Sequence, residues 1–190
     1  SVAPLEDCYR PDLVPPDEAL RTEHAEMMRD LQAGGVDFIF LETFNCIRET
    51  VIALQAAVAT GLPVAISFVC DTHGDLLSGE TIESAAAAVS PYKPFALMTN
   101  CAPATTIDAS LRRLIACTKT PVGIYANGDG HPHDDEGWIF DGSHTPQTFA
   151  RSAQTWLDAG ARIIGGCCGT TPDYIKAIAP LIRAANAKRG

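Results

Sequence analysis

The chain has little positive charge and no long apolar run, and each shortage excludes a class of function. Lys and Arg number 14 against 23 Asp and Glu, a formal net charge of -9, and the basic residues are scattered and form no stripe. Nucleic-acid binding rests on neutralising phosphates and is therefore not expected. No apolar run approaches the roughly 18 residues that a membrane span needs, so no membrane segment is expected either. The opening SVAPLEDCYRPD lacks the basic and apolar regions of a secretory leader, and none is predicted. Low-complexity segments and interdomain linkers are missing too. At 190 residues the chain reads as a single domain, residues 1–190, able to bury a core. The seven cysteines are an odd number without a small-domain disulfide spacing. That favours a reducing, cytoplasmic setting and thiols kept for metal or chemistry.

What is present is a regular alternation. After a loop rich in proline and charge, Asp17 to Ala33 reads as a helix with Asp17 as its N-cap and Gly34-Gly35 as its stop. Leu20, His24, Met27, Met28 and Leu31 are assigned to its buried face, His24 as a packed side chain and not a ligand. Five apolar runs follow as strands: Asp37 to Thr43, Pro63 to Cys70, Phe95 to Cys101, Val122 to Asn127 and Ile163 to Cys168. Helices are expected from Arg48 to Ala59, Thr81 to Val89, about Thr106 to Cys117, Thr145 to Ala159 and Asp173 to Ala187. Near-continuous apolar strands are covered on both faces, which makes the sheet parallel and the fold α/β. The longest loop is Asn127 to Ser143.

In a parallel sheet or barrel all carboxyl ends of the strands share one side. Polar residues gather there: Glu42-Thr43, Cys70-Asp71, Asn100-Cys101, Asn127 and Cys167-Cys168. Cys101 can thus meet Cys167 and Cys168 although they are far apart in sequence. Adjacent cysteines are also found as inert, buried thiols. Three thiolates meeting at a barrel mouth would suit zinc with one vertex open to a substrate thiol, and hence alkyl transfer to sulfur.

The segment RIIGGCCGTTPDYI, Arg162 to Ile175, resembles the terminal motif of the zinc-dependent homocysteine S-methyltransferases. That family includes betaine-homocysteine methyltransferase and the homocysteine-binding module of cobalamin-dependent methionine synthase. LETF at Leu41 to Phe44, SFVC at Ser67 to Cys70, TNCAP at Thr99 to Pro103 and YAN at Tyr125 to Asn127 are similar to further motifs in the same order, and Trp138 fits a tryptophan usual after the last. The resemblance implies a (β/α)8 TIM-barrel type fold with Zn2+ bound by Cys101, Cys167 and Cys168. It implies that Glu42 holds the amino group of homocysteine, and that Thr43, Asn100 and Asn127 line the pocket. For the residues themselves, Glu42 also reads as a satisfied strand-end carboxylate, and Asn100 and Asn127 as loop ties.

The five strands correspond to the family's fourth to eighth, with Ser1 to Pro4 matching the end of its third. The first two strands, and an early Asp-Gly motif that helps bind the amino acid, are expected to be absent. Cover for the open edges is then expected from a homodimer, a complementing subunit, or strands that lie outside the given sequence. Two functions stay open: transfer of a methyl group from a small donor to homocysteine, giving methionine, or a non-catalytic zinc- or thiol-binding subunit or sensor. The methyl donor is not legible. Of the other candidates, His131, His133, Asp134, Asp135 and Glu136 read as a solvated polar loop, although they include metal-ligating types. Asp71-Thr72-His73-Gly74 begins like a cobalamin-binding DxHxxG signature, but Leu76 stands where its glycine must be. Cys8, Cys46, Cys70 and Cys117 read as structural.

Overall fold

The apolar runs fold as strands in the structure, a computed structural model that describes residues 1–133 and 135–188. In chain order the elements are α1 (Asp17–Ala33), β1 (Ile39–Phe44), α2 (Ile47–Ala59), β2 (Val64–Val69), α3 (Ile82–Val89), β3 (Ala96–Pro103), α4 (Asp108–Cys117), β4 (Val122–Asn127), β5 (His131–His133), β6 (Gly137–Ile139), α5 (Pro146–Ala159), β7 (Ile163–Gly166) and α6 (Pro172–Ala187). Five strands form one parallel sheet in the order β1-β2-β3-β4-β7. Every residue of β2 is buried, as its run of apolar residues broken only by Ser67 requires.

The helices cover one face of this sheet. Leu41, Phe44, Ile66, Phe68, Leu97 and Ile124 meet Ala53, Leu54, Ile82, Leu111, Phe149 and Trp156 from the helices in one apolar core. Local chemistry sets several helix starts. Thr81 accepts from the Ser84 N–H at the start of α3, and Thr145 and Thr148 form a reciprocal cap on α5. In α1 the expected cap is displaced by one residue: Pro16 takes the N-cap position, and the Asp17 carboxylate instead pairs with Arg48 at 2.9 Å. Leu20, His24 and Met28 are buried at helical spacing, whereas Met27, turned about 100° from Met28, is 37% exposed.

The other face is concave. Phe40 on β1 and Tyr125 on β4 lie with ring centroids 5.7 Å apart, although the two strands are separated by β2 and β3. In a flat sheet three strand spacings would hold them about 14 Å apart. The sheet is therefore curled towards a barrel. It does not close among the described residues, since five strands cannot complete the circuit of an eight-stranded barrel. Beside β1 there is a single parallel bridge, Val2 to Leu41, and β7 has β4 as its one neighbour in the sheet. Phe38, Phe40, Phe95, Met98, Tyr125 and Ile163 line an apolar groove of about 300 Å³ along the concave face. No helix among the described residues is long and apolar enough to cross a membrane.

Candidate metal centre and amino-acid pocket

The carboxyl ends of β3 and β7 bring three cysteines together. Cys101 Sγ lies 2.9 Å from Cys167 Sγ, Cys167 Sγ lies 4.0 Å from Cys168 Sγ, and all three sulfurs are within 4.8 Å of one another. With zinc–sulfur bonds of about 2.3 Å, two corners of a tetrahedron are about 3.8 Å apart. The observed separations bracket that edge, and an all-thiol donor set suits zinc, so these residues fit a zinc ion. Among the described residues no other group of three His, Cys, Asp or Glu converges in this way.

The backbone around the pair is fixed before any metal is considered. Cys167 N–H donates to Ala126 O and Gly128 N–H to Cys168 O, both at 2.8 Å. The Thr170 hydroxyl and N–H both donate to Cys167 O, at 2.6 and 3.2 Å. Glycine is needed at the turn: a Cβ on Gly169, whose φ is +70°, would lie 2.1 Å from Asp129 O. On the opposing strand Cys101 itself has φ 55°, an unusual conformation for a residue with a side chain. The Cys101 thiol is driven below its ordinary value by the hydrogen bond from Cys167, and the same bond, followed by burial, drives Cys167 up. Burial, then the neighbouring Cys167 charge, raises Cys168.

Glu42 and Asn100 head two further groups. The Tyr125 hydroxyl donates to Glu42 Oε2 at 3.2 Å across the concave face. Asn100 Nδ2 donates to Thr43 Oγ1 at 2.8 Å, and Ser67 Oγ donates to Asn100 Oδ1 at 2.6 Å, so the tips of β1, β2 and β3 are tied in series. Thr43 has φ 65°, like Cys101 a left-handed exception. Asn127 is buried beside the Cys168 turn, and its Oδ1 has no hydrogen-bond partner among the described residues.

Three contributors were not visible in the sequence pattern. Tyr125 reads as one more apolar strand residue. The segment from Leu5 to Tyr9 reads as loop, yet it straps across the site: Leu5 N–H donates to Glu49 Oε1 at 2.8 Å, Asn45 Nδ2 to Cys8 O at 3.0 Å, and the Tyr9 hydroxyl to Cys101 O at 3.3 Å. Glu49 is itself buried and sits 3.1 Å from Nε2 of buried His24, which is therefore a packed side chain. The third is the β5–β6 hairpin within the long loop, whose strands are three residues each. Trp138 Nε1–H donates to Asp129 O at 2.7 Å and clips this hairpin to the cysteine turn.

The remaining candidates are placed elsewhere. His131 pairs with Asp141 at 3.1 Å on the exposed hairpin, and His133 Nδ1 accepts from the backbone of Asp135 and Glu136 at 3.3 Å; Asp134 lies outside the described residues. Asp71 Oδ1 accepts from His73 and Asp75 N–H at 2.8 and 3.0 Å and so braces its own loop. Cys8, Cys46, Cys70 and Cys117 stand outside the sulfur group, and burial pushes the Cys70 thiol up to about 12.

The family model described as homocysteine S-methyltransferase matches residues 1–182. The chain is 28% identical over 178 residues to homocysteine S-methyltransferase YbgG of Bacillus subtilis (strain 168), covering 93% of this chain and 56% of that protein. It is 30% identical over 166 residues to selenocysteine Se-methyltransferase of Brassica oleracea var. italica, covering 85% and 48% respectively. Among solved structures it resembles the metallated form of the homocysteine methyltransferase MmuM from Escherichia coli, with a TM-score of 0.76 and 26% identity over 93% of this chain and 56% of that one. The chain thus spans about half the length of the relatives it matches.

Proposed function

The chain belongs to the homocysteine S-methyltransferase family, and from that premise we propose that it moves a methyl group from a small donor onto the thiol of homocysteine, giving methionine. The observation that carries this reading is the convergence of Cys101, Cys167 and Cys168, drawn from two strand ends into one group of sulfurs. These three residues would hold Zn2+, which when bound lets an incoming thiol lose its proton at neutral pH. In the transfer, the bond between the methyl carbon and the donor atom breaks as the carbon–sulfur bond forms, and the thiol proton leaves to solvent.

The chain's own residues supply position. Glu42, half-buried on the concave face, takes the ammonium group of the amino acid. Asn127, whose buried carbonyl oxygen has no hydrogen-bond partner among the described residues, and Asn100 with Thr43 form the polar wall beside it. Holding the thiol and the ammonium at two fixed points confines the sulfur for in-line attack, and such confinement is a large part of catalysis in two-substrate reactions. The open edges of the sheet are covered by a second copy of the chain, a complementing subunit or strands outside the given sequence, and the setting is cytoplasmic.

The test is methionine formation by the zinc-loaded protein from homocysteine with S-methylmethionine, S-adenosylmethionine, betaine or a methylfolate. Calorimetric titration with homocysteine runs alongside, on the parent and on Glu42→Ala. Product with one donor, and binding weakened in Glu42→Ala at unchanged zinc content, is the expected result. No product with any donor and no heat of binding would overturn the reading.

A further inference from the structure

We infer that Tyr125 is a positioning residue that presents Glu42 to the amino end of the substrate; this rests on the proposed role of Glu42 in taking the ammonium group. Tyr125 reaches over β2 and β3 from β4 to place its hydroxyl 3.2 Å from Glu42 Oε2. A carboxylate on a strand end is otherwise free to swing among its rotamers, and a single donor on one oxygen fixes the direction of the other. Oε1 takes no hydrogen bond from the described residues, so the carboxylate keeps a face for a cation.

The tyrosine is suited to this by its surroundings. Its backbone is paired on both sides, to Asn100 of β3 and to Gly165 of β7. A side chain in place of Gly165 would put a Cβ 3.3 Å from the Tyr125 Cβ, so glycine leaves the ring its room. The Phe40 ring holds it from the far side at 5.7 Å. Burial, together with the nearby Glu42 carboxylate, keeps the phenol protonated and thus a donor.

The experiment separates the ammonium contact from all other effects by using two thiols, homocysteine and 4-mercaptobutyrate, which lacks only the amino group. Each is titrated calorimetrically into the zinc-loaded parent, Tyr125→Phe and Glu42→Gln. Tyr125→Phe keeps the ring and removes one hydroxyl. Its homocysteine Kd should rise about tenfold, the usual scale for a hydrogen bond to a charged group, while its affinity for 4-mercaptobutyrate and its zinc content stay as in the parent. Equal weakening of both thiols, or no weakening of either, overturns the inference. Glu42→Gln distinguishes the layers: if it abolishes the preference for homocysteine while Tyr125→Phe retains it, the role of Tyr125 fails alone. If the parent shows no preference, or Glu42→Gln retains it, the role of Glu42 and this inference fall together.

Discussion

Replacing Gly169 by alanine should unfasten the cysteine turn, and a second glycine in the same backbone conformation supplies the control. Gly169 has φ +70° and Gly35 has φ +74°, but a Cβ on Gly35 meets nothing within 4 Å, whereas one on Gly169 lies 2.1 Å from Asp129 O and 2.7 Å from Trp138 Nε1. Gly35→Ala therefore measures the left-handed conformation alone, about 1 kcal/mol. For Gly169→Ala the Asp129 carbonyl must retreat from 2.1 Å to an ordinary contact of at least 3.4 Å. That movement breaks the Trp138 bond to Asp129 O and the Gly128 bond to Cys168 O, at 2.7 and 2.8 Å. At about 1 kcal/mol net for each bond, the total loss is about 3 kcal/mol. Urea unfolding of both variants with a chelator present gives this number free of metal linkage. Zinc affinity, read by competition with a chromophoric chelator, should fall at least about tenfold for Gly169→Ala, because a displaced Cys168 sulfur cannot keep a bond of fixed length. A stability loss no larger than that of Gly35→Ala, with parental zinc affinity, would refute the reasoning.

Cys167→Ser should strip the protein of most of its zinc while Cys117→Ser keeps about one ion per chain, since the exposed Cys117 thiol reaches only Leu114 O at 3.4 Å; equal metal content in the two, by atomic absorption, would speak against the assignment. Glu49→Ala takes the acceptor from Leu5 N–H and leaves buried His24, whose Nδ1 already lacks a partner, with neither nitrogen bonded. Its cost in chemical denaturation should be about 3 kcal/mol, and a cost below about 1 kcal/mol would show that the pair is not an anchor. Glu83, bonded by Arg113 through two nitrogens at 2.8 and 2.6 Å, is held below its ordinary value of 4.5 by that guanidinium. A lowered folded pKa gives stability that is present above the unfolded value and lost as pH falls through the folded one. The stability gap between parent and Glu83→Gln should accordingly be open at neutral pH and narrow below 4.5, and a gap independent of pH would contradict the pairing.

The order of strands and helices was legible because a parallel strand buried on both faces, such as Val64–Val69, leaves a near-continuous apolar run that a half-exposed strand would not. The meeting of the cysteines was legible for a topological reason, since every carboxyl end of such a sheet faces one way. Contacts made through long side chains were not. Glu49 looks like the polar side of α2, and nothing near it in sequence announces that it lies buried against His24, 25 residues upstream. Tyr125 falls on an apolar run, and its reach to Glu42 depends on how far the sheet curls, a property of the whole assembly of strands. The β5–β6 hairpin escaped notice because three-residue strands carry no alternation to detect.

The two left-handed strand-end residues connect these observations. Thr43 and Cys101 have φ of 65° and 55° at positions where β1 and β3 lose register with their neighbours, between Leu41 and Phe44 and between Asn100 and Pro103. A residue with a Cβ adopts that conformation at a cost of order 1 kcal/mol or more, and it persists only where the surroundings impose it. Here the surroundings are visible: Asn100 Nδ2 holds the Thr43 hydroxyl at 2.8 Å, and Tyr9 holds the Cys101 carbonyl at 3.3 Å. A regular strand would send successive side chains to opposite faces, which would divide Asn100 from Cys101. The irregularity after Asn100 lets Asn100 brace Thr43 while the Cys101 sulfur turns to meet Cys167. Backbone strain at these two tips therefore goes with the site and not with the core, where the β2–β3 and β4–β7 pairings run in register through Ile66 and Ile124.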